Sequence, residues 1–226
     1  MNFAVDRGKV AQIFGGERAA VPTCQQLPPN FPGYEPFCPY TRDPGPEGSW
    51  TAPDFEKAQR LVRRSGTDGM RVVIEWVPGF YPPGLAAYMD EMPDELGYRG
   101  SVSVITQGEF YRAVDEFQAK IEGWAEDFPA ASNFITNRFT CGALITPSAA
   151  FCDPEIDAMI DRATQLQLDE PAVSGRLWAE IDRAIVDQAP YLWLVNPTEL
   201  AFVSERVGNY QQATQWGVLL NQLWVR

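Results

Sequence analysis

The chain has 226 residues, 45% of them hydrophobic, enough to bury a sizeable core in one large or two small domains. Its 18 Lys and Arg against 30 Asp and Glu give a net charge of −12, a surface that repels phosphate backbones and anionic headgroups and so excludes nucleic acid as an electrostatic partner. There is no histidine, which removes Ser-His-Asp and Cys-His nucleophile pairs, two-His zinc sites and histidine proton relays, so any catalysis would rest on carboxylates, Lys, Tyr or Cys.

The first segment, Phe3 to Phe14, carries Val5, Val10, Ile13 and Phe14 at broadly helical spacing and stops at Gly15 and Gly16. Asp6 and Arg7 stand where a signal peptide needs its apolar stretch, so no export signal is expected within this chain. From Val21 to Trp50 there are eight prolines in thirty residues, which predicts a long ordered loop. Pro53 is expected to open a helix at its first position, with Asp54 and Glu56 in the first turn, Arg63 and Arg64 in the last, and Gly66 as the stop. Met70 to Trp76 has the β-branched content of a strand. Gly84 to Gly97 returns to helical spacing, with a kink expected at Pro93. Val102 to Val104 alternates like a strand, and Glu109 to Ala119 reads as helical.

Strand, helix, strand, helix in succession predicts an α/β lobe, a parallel or mixed sheet flanked by helices. Further on, Asp153 is a candidate N-cap with Pro154 behind it, and Ile156, Met159, Ile160, Ala163 and Leu166 share one helical face. A second amphipathic helix is expected from Pro171 to Gln188. Beyond Pro190 the stretches YLWLV, ELAFV and VLLNQLWV read as short strands of a different structural unit, which divides the chain at 1–189 and 190–226. No apolar run approaches the roughly 18 to 20 residues of a membrane-spanning helix.

Four cysteines fall into two local pairs, Cys24 with Cys38 and Cys141 with Cys152, at spacings that match no zinc ribbon or redox motif. They read either as two local disulfides, each stabilising by roughly 3 kcal/mol, or as four reduced, buried thiols of a cytosolic protein. Disulfides persist outside the cytosol, which sits uneasily with the absent export signal.

Candidate chemistry is sparse. Glu126 and Asp127 beside Trp124 place two carboxylates near an aromatic surface, yet adjacent acids make a poor catalytic pair, and a carboxylate-based hydrolase is the weakest of the functional alternatives. Asp153, Glu155, Asp157 and Asp161 lack calcium-loop spacing and read as a solvated helix face. No phosphate-binding loop is present, and neither a cofactor nor a metal site is expected. Phe31, Tyr34, Phe37, Tyr40, Phe80 and Tyr81 stand in loop contexts, where aromatics either line a ligand pocket or anchor a proline-rich loop.

Four stretches, in order, resemble the C-terminal half of the peptide-binding (family 5) extracellular solute-binding proteins of bacterial ABC importers. They are MNFAVDRGKVAQIFGGERAAVPTCQQLPPNFPGY, GWAEDFP, CDPEIDAMIDRATQ, and the terminal QAPYLWLVNP with SERVGNYQ and the final LW. The cysteine pairs resemble those of actinobacterial members. The resemblance implies one lobe of a two-lobed periplasmic-binding-protein-like (type II) fold, with C-terminal strands belonging to the other lobe. It implies a peptide or other small solute as ligand, a missing N-terminal lobe and ABC permease subunits as partners, and no catalysis. An extracytoplasmic, membrane-anchored parent is also implied, with its export signal upstream of this chain. Carried onto this sequence, it gives Asp127 the ligand's α-ammonium and Trp124 a side-chain pocket, with Phe128 and Asn133 as further candidates; the alternative is that Asp127 caps a turn and Trp124 is core. A ligand-sensing module of a larger regulatory protein is the alternative function.

Overall fold

The computed structural model describes residues 1–110, 117–143, 151–213 and 217–226. The chain opens on α1 (Arg7–Ile13), whose N-cap Asp6 accepts a hydrogen bond from the Lys9 backbone N–H at 2.9 Å. It closes at Gly15 and Gly16, both at positive φ, where an L side chain would be strained. After a short strand, β1 (Ala20–Pro22), the proline-rich stretch runs as the expected loop, broken by a single 3₁₀ turn at Pro46–Gly48. The Cys24–Cys38 and Cys141–Cys152 disulfides are both formed, which excludes the four-thiol alternative.

Helix α2 (Phe55–Ser65) begins two residues later than Pro53, because Asp54 takes the N-cap, accepting from Lys57 N at 2.9 Å; Gly66 ends the helix in the left-handed region. β2 (Arg71–Trp76) alternates buried residues with an exposed Arg71 and the half-buried Val73 and Glu75. α3 (Pro83–Glu95) continues through Pro93, against the expected kink. Pro93 lies in the last turn, where its missing N–H forfeits a single bond, and its ring packs beside Gly100 of β3 (Arg99–Val104). A Cβ at Gly100 would come within 2.9 Å of the Asp90 carbonyl, so glycine permits this approach of helix to strand.

The expected helix Glu109–Ala119 is only partly recovered. Residues 107–110 form α4 (Gln107–Phe110), residues 111–116 lie outside the described ones, and Ala119 belongs to β4 (Ala119–Lys120), because it is drawn into pairing with Ile74. The three strands form one parallel sheet in the order β3-β2-β4. Its described outer edge is sealed by the helix above it: Asp90 and Asp94, one turn apart on α3, accept the Val102 and Gly100 N–H groups, each at 2.7 Å. Replacing both aspartates with Ala is expected to cost about 1 to 3 kcal/mol and to raise light scattering above that of the parent chain at equal concentration; urea unfolding and scattering measure the two effects.

The helices α5 (Ala131–Phe139), α6 (Pro154–Leu166) and α7 (Pro171–Gln188) build a second layer. Two apolar clusters result. The first gathers Val10, Val62, Ile74, Trp76, Leu85 and Met92 around the sheet, and the second gathers Phe134, Ile135, Phe139, Ile160, Trp178 and Ile185 among the helices. Asp153 caps α6 as expected, and Asp157 accepts the Cys141 N–H, so these acids serve the fold.

The chain after Pro190 first packs into this body. Trp193 is buried in the second cluster, and β5 (Val195–Pro197) pairs antiparallel with β1. Beyond it the expected strands change character. ELAFV carries no strand and leaves Phe202 99% exposed, since no partner strand meets it among the described residues. The last stretch breaks into β6 (Val207–Gly208), β7 (Gln212–Ala213), β8 (Gly217–Val218), a 3₁₀ turn at Leu220–Gln222 and β9 (Trp224–Val225), paired as two short ladders.

Candidate functional site

As β4 ends, the chain leaves the sheet through Ile121, Glu122, Gly123 and Trp124 and runs irregularly to α5. The turn is held from its far end. Asn133, in the first turn of α5 and fully buried, points its amide back: Oδ1 accepts from the Asp127 backbone N–H at 3.0 Å and from Trp124 Nε1 at 3.1 Å, and Nδ2 donates to Asp127 Oδ2 at 3.2 Å. A buried amide with three partners is a rigid fixture, because each lost bond would leave a polar group unsatisfied. The structure therefore brings together three of the four residues singled out from sequence. Asp127 itself is exposed, with one carboxylate oxygen held by Asn133 and the other without a hydrogen-bond partner among the described residues. Phe128 sits beside it, 48% exposed, and takes no part in the network.

Trp124 forms part of the wall of a cleft of about 170 Å³ between the two apolar clusters. Phe14, Leu85 and Ile121 face it from the sheet side, and Phe134, Tyr191 and Trp193 from the helical side. Arg138 and Glu122 form a buried ion pair in the same wall, and Arg138 Nη2 also donates to the Tyr191 hydroxyl at 3.2 Å. The guanidinium lies 5.5 Å from the Trp124 ring centroid and 5.2 Å from that of Tyr191, within cation–π range of both. Sequence reasoning missed this group. The available signal was Arg138 itself, which falls at helical spacing on the stripe of Phe134 and Ile135, where an arginine must find partners.

Beside the cleft, burial lowers the pKa of the Lys120 ammonium, opposed by the nearby Glu122 and Glu75 carboxylates, and raises that of the Glu75 carboxyl. Lys120 Nζ donates to the Phe110 carbonyl at 3.1 Å. Among the described residues no group of His, Cys, Asp and Glu is placed to hold a metal ion, and no helix is long and apolar enough to cross a membrane. What the arrangement offers is a carboxylate fixed near an indole, the indole standing in the wall of a largely apolar cleft that also holds the Arg138–Glu122 pair, groups suited to contacting a small cationic, partly apolar ligand.

No family model matches the chain. Among curated proteins it is 24% identical, over 217 residues, to Di/tripeptide-binding protein 4 of Pseudomonas aeruginosa, an alignment covering 92% of this chain and 37% of that protein. It is 30% identical over 121 residues to Probable di/tripeptide-binding protein 5 of the same organism, covering 52% and 23%. Among solved structures, a periplasmic binding protein from Helicobacter pylori in complex with the peptide STSA superposes with a TM-score of 0.80 at 18% identity, over 99% of this chain and 42% of that one. A dipeptide-binding protein from Pseudoalteromonas sp. SM9913 in complex with Met-Leu gives a TM-score of 0.80 at 19% identity, over 99% and 44%. The chain thus spans less than half the length of the proteins it matches. Its sequence relatives are di/tripeptide-binding proteins, and its α/β fold is that of one part of a periplasmic-binding-protein-like (type II) structure.

Proposed function

We propose that this chain is the second lobe, with a returning tail, of a substrate-binding protein that encloses peptides or similar small solutes between two lobes and presents them to an ABC permease. Residues 1–189 form the lobe, and residues 190–226 return to a first lobe supplied by the longer protein. The assembly works outside the cytoplasm as an anchored lipoprotein and performs no catalytic step, and the two cysteine pairs are what supports a kinship with actinobacterial members. Exposure of Phe202, Leu220 and Val225 supports the returning tail, since these side chains find no cover among the described residues.

The observation that carries the proposal is the Asn133-centred network. It fixes Asp127 with one oxygen unengaged among the described residues, three positions after Trp124, which stands in the cleft wall. Enclosed by a second lobe, that carboxylate makes a charge-assisted hydrogen bond to a ligand α-ammonium. Truncating one member of such a pair costs roughly 2 to 5 kcal/mol. The test is a chimera in which this chain replaces the matching part of Di/tripeptide-binding protein 4. It should bind di- and tripeptides, and Asp127→Ala should weaken binding by about 30-fold or more. Nα-acetylated peptides should bind weakly and lose nothing further on the substitution. Equal affinity of the parent and the Asp127→Ala chimera for free-amine peptides would remove Asp127 from the site.

A further inference from the structure

Three aromatic side chains of the proline-rich loop, Tyr34, Phe37 and Trp50, line a cavity of about 360 Å³, and the Cys24–Cys38 disulfide stands in the same wall. Every described lining residue falls between Val21 and Trp50, a stretch described without a gap, and neither Trp124 nor Asp127 is among them. Thr23 and Gln25 line both this cavity and the cleft. The walls are held in place by the chain itself. The disulfide closes the loop, and Gly48, at a φ of +75°, lies so close to Pro36 that a Cβ would stand 2.9 Å from the Pro36 carbonyl oxygen.

The polar side chains of this lining divide into two groups. Thr23 Oγ1 donates to the Gln25 carbonyl at 3.4 Å, Ser49 Oγ donates to the Pro46 carbonyl at 3.2 Å, and the Gln25 amide is engaged by Glu35, Asp182 and Phe37. The Glu47 carboxylate and the Tyr34 hydroxyl have no hydrogen-bond partner among the described residues. Glu47 is exposed and sits at a φ of 61°, a left-handed conformation that strains a non-glycine residue and recurs at ligand clamps. It is the one carboxylate in the described lining, which holds no cationic side chain. Trp50 Nε1 is buried without a partner among the described residues, and a Cβ at Gly8 would come within 3.5 Å of the ring, so the indole offers the cavity a π surface and no donor. Phe37 already attracts a cation: the Arg183 guanidinium lies 5.6 Å from its centroid, paired with Glu35 at 2.7 Å.

We propose that this cavity binds a compact alkylated ammonium group, its charge toward Glu47 and its alkyl groups against the Tyr34, Phe37 and Trp50 rings. Such a cation is attracted by aromatic faces and by a carboxylate and asks for no hydrogen-bond acceptor. A primary ammonium carries three N–H donors, more than the two unengaged side-chain groups of this lining can satisfy. The site is separate from the Asp127-centred one and does not depend on the peptide-binding function proposed above.

NMR titration of the 226-residue chain tests it with choline and with the neutral tert-butyl analogue of choline, in which carbon replaces the charged nitrogen. The Trp50 indole signal, assigned by its loss in Trp50→Phe, and the Gly48 and Ser49 amide signals should move saturably with choline, at an affinity about fivefold or more above that of the neutral analogue. n-Butylammonium, whose head group is primary, should bind about threefold or more below choline. Glu47→Gln, which alters an exposed side chain and spares the core, should bring choline to within about twofold of the neutral analogue. Equal affinity for choline and the neutral analogue would make the cavity an apolar crevice and overturn the proposal. So would equal affinity for n-butylammonium, an unchanged affinity in Glu47→Gln, or signals that stay fixed throughout. Movement of the Trp124 indole in place of Trp50 would put the cation in the cleft and overturn the proposal while leaving the Asp127-centred site standing.

Discussion

Replacing Arg7 with Met is expected to destabilise the chain by about 3 to 5 kcal/mol, a loss measured by urea unfolding followed through tryptophan fluorescence. Arg7 is fully buried at the first position of α1, and among the described residues no carboxylate forms an ion pair with it. Its guanidinium donates instead to oxygens from four parts of the chain. Nε bonds the Thr23 and Trp193 carbonyls at 2.8 and 2.9 Å, Nη1 the Asn2 and Tyr40 carbonyls at 3.2 and 3.3 Å, and Nη2 the Asn2 side chain at 3.2 Å. Burial brings the guanidinium pKa down to about 10, offset in part by Tyr88 and Tyr40, so it stays charged at neutral pH. Met fills much of the same volume and avoids the cost of a buried charge, yet it leaves these oxygens buried and unsatisfied. Arg7→Lys keeps the charge but loses the planar fork, and should fall between the two. A loss below about 1 kcal/mol for Arg7→Met would show that the carbonyls find other donors and that Arg7 is not the tie between α1, the disulfide loop and the returning segment.

That tie also marks the limit of what the sequence discloses. The start of α6 was legible because its cap is local: Asp153 accepts N–H groups of the first turn, as expected, whereas α1 and α2 begin at Arg7 and Phe55 rather than at Phe3 and Pro53, because Asp6 and Asp54 take the N-caps. α7 spans the expected Pro171 to Gln188, since an 18-residue amphipathic period leaves little choice of frame. Strand β4 was lost inside a predicted helix, because two residues become a strand only through pairing with Ile74 and Glu75, more than forty positions away. ELAFV failed in the opposite sense: its composition suits a strand, but a strand also needs a neighbour, and none is described.

The candidate site divides along the same line. Trp124, Asp127 and Asn133 lie within ten residues of one another, and a motif at that scale can be read directly. Arg138, Glu122 and Tyr191 come from α5, the end of β4 and the segment after α7, so their meeting is a property of the fold. The cleft itself is of this second kind, since its walls belong to two apolar clusters that are joined through the stretch from Tyr191 to Pro197. This places the cleft at the junction between sheet and helices.

Asp182→Ala should cost about 3 to 5 kcal/mol, a second large loss with a signature of its own in pH. Asp182 lies on α7, 2% exposed, and ties that helix to the loop stapled by Cys24 and Cys38. Oδ1 accepts from Gln26 N at 3.0 Å, and Oδ2 accepts from Gln25 Nε2 at 2.9 Å and Leu27 N at 3.3 Å. Alanine leaves the Gln26 and Leu27 N–H groups without this acceptor in a dry place and Gln25 Nε2 with only the Glu35 carbonyl, whereas Asp182→Asn keeps one acceptor oxygen and should lose less. Burial pushes the carboxyl from 3.8 up to about 6, with the three donors and Arg183 pulling the other way. A carboxyl whose pKa is higher in the folded than in the unfolded chain favours the folded state most below about pH 4, and that contribution is lost as the pH rises through 6. Between pH 7 and pH 5 the parent chain should therefore gain about 1 kcal/mol relative to Asp182→Asn, which has nothing to titrate at this position. Urea midpoints of both proteins at the two pH values measure the difference. Parallel pH profiles would mean that the three donors hold the carboxylate ionised throughout, and that α7 is bound to the disulfide loop by a charge insensitive to this range.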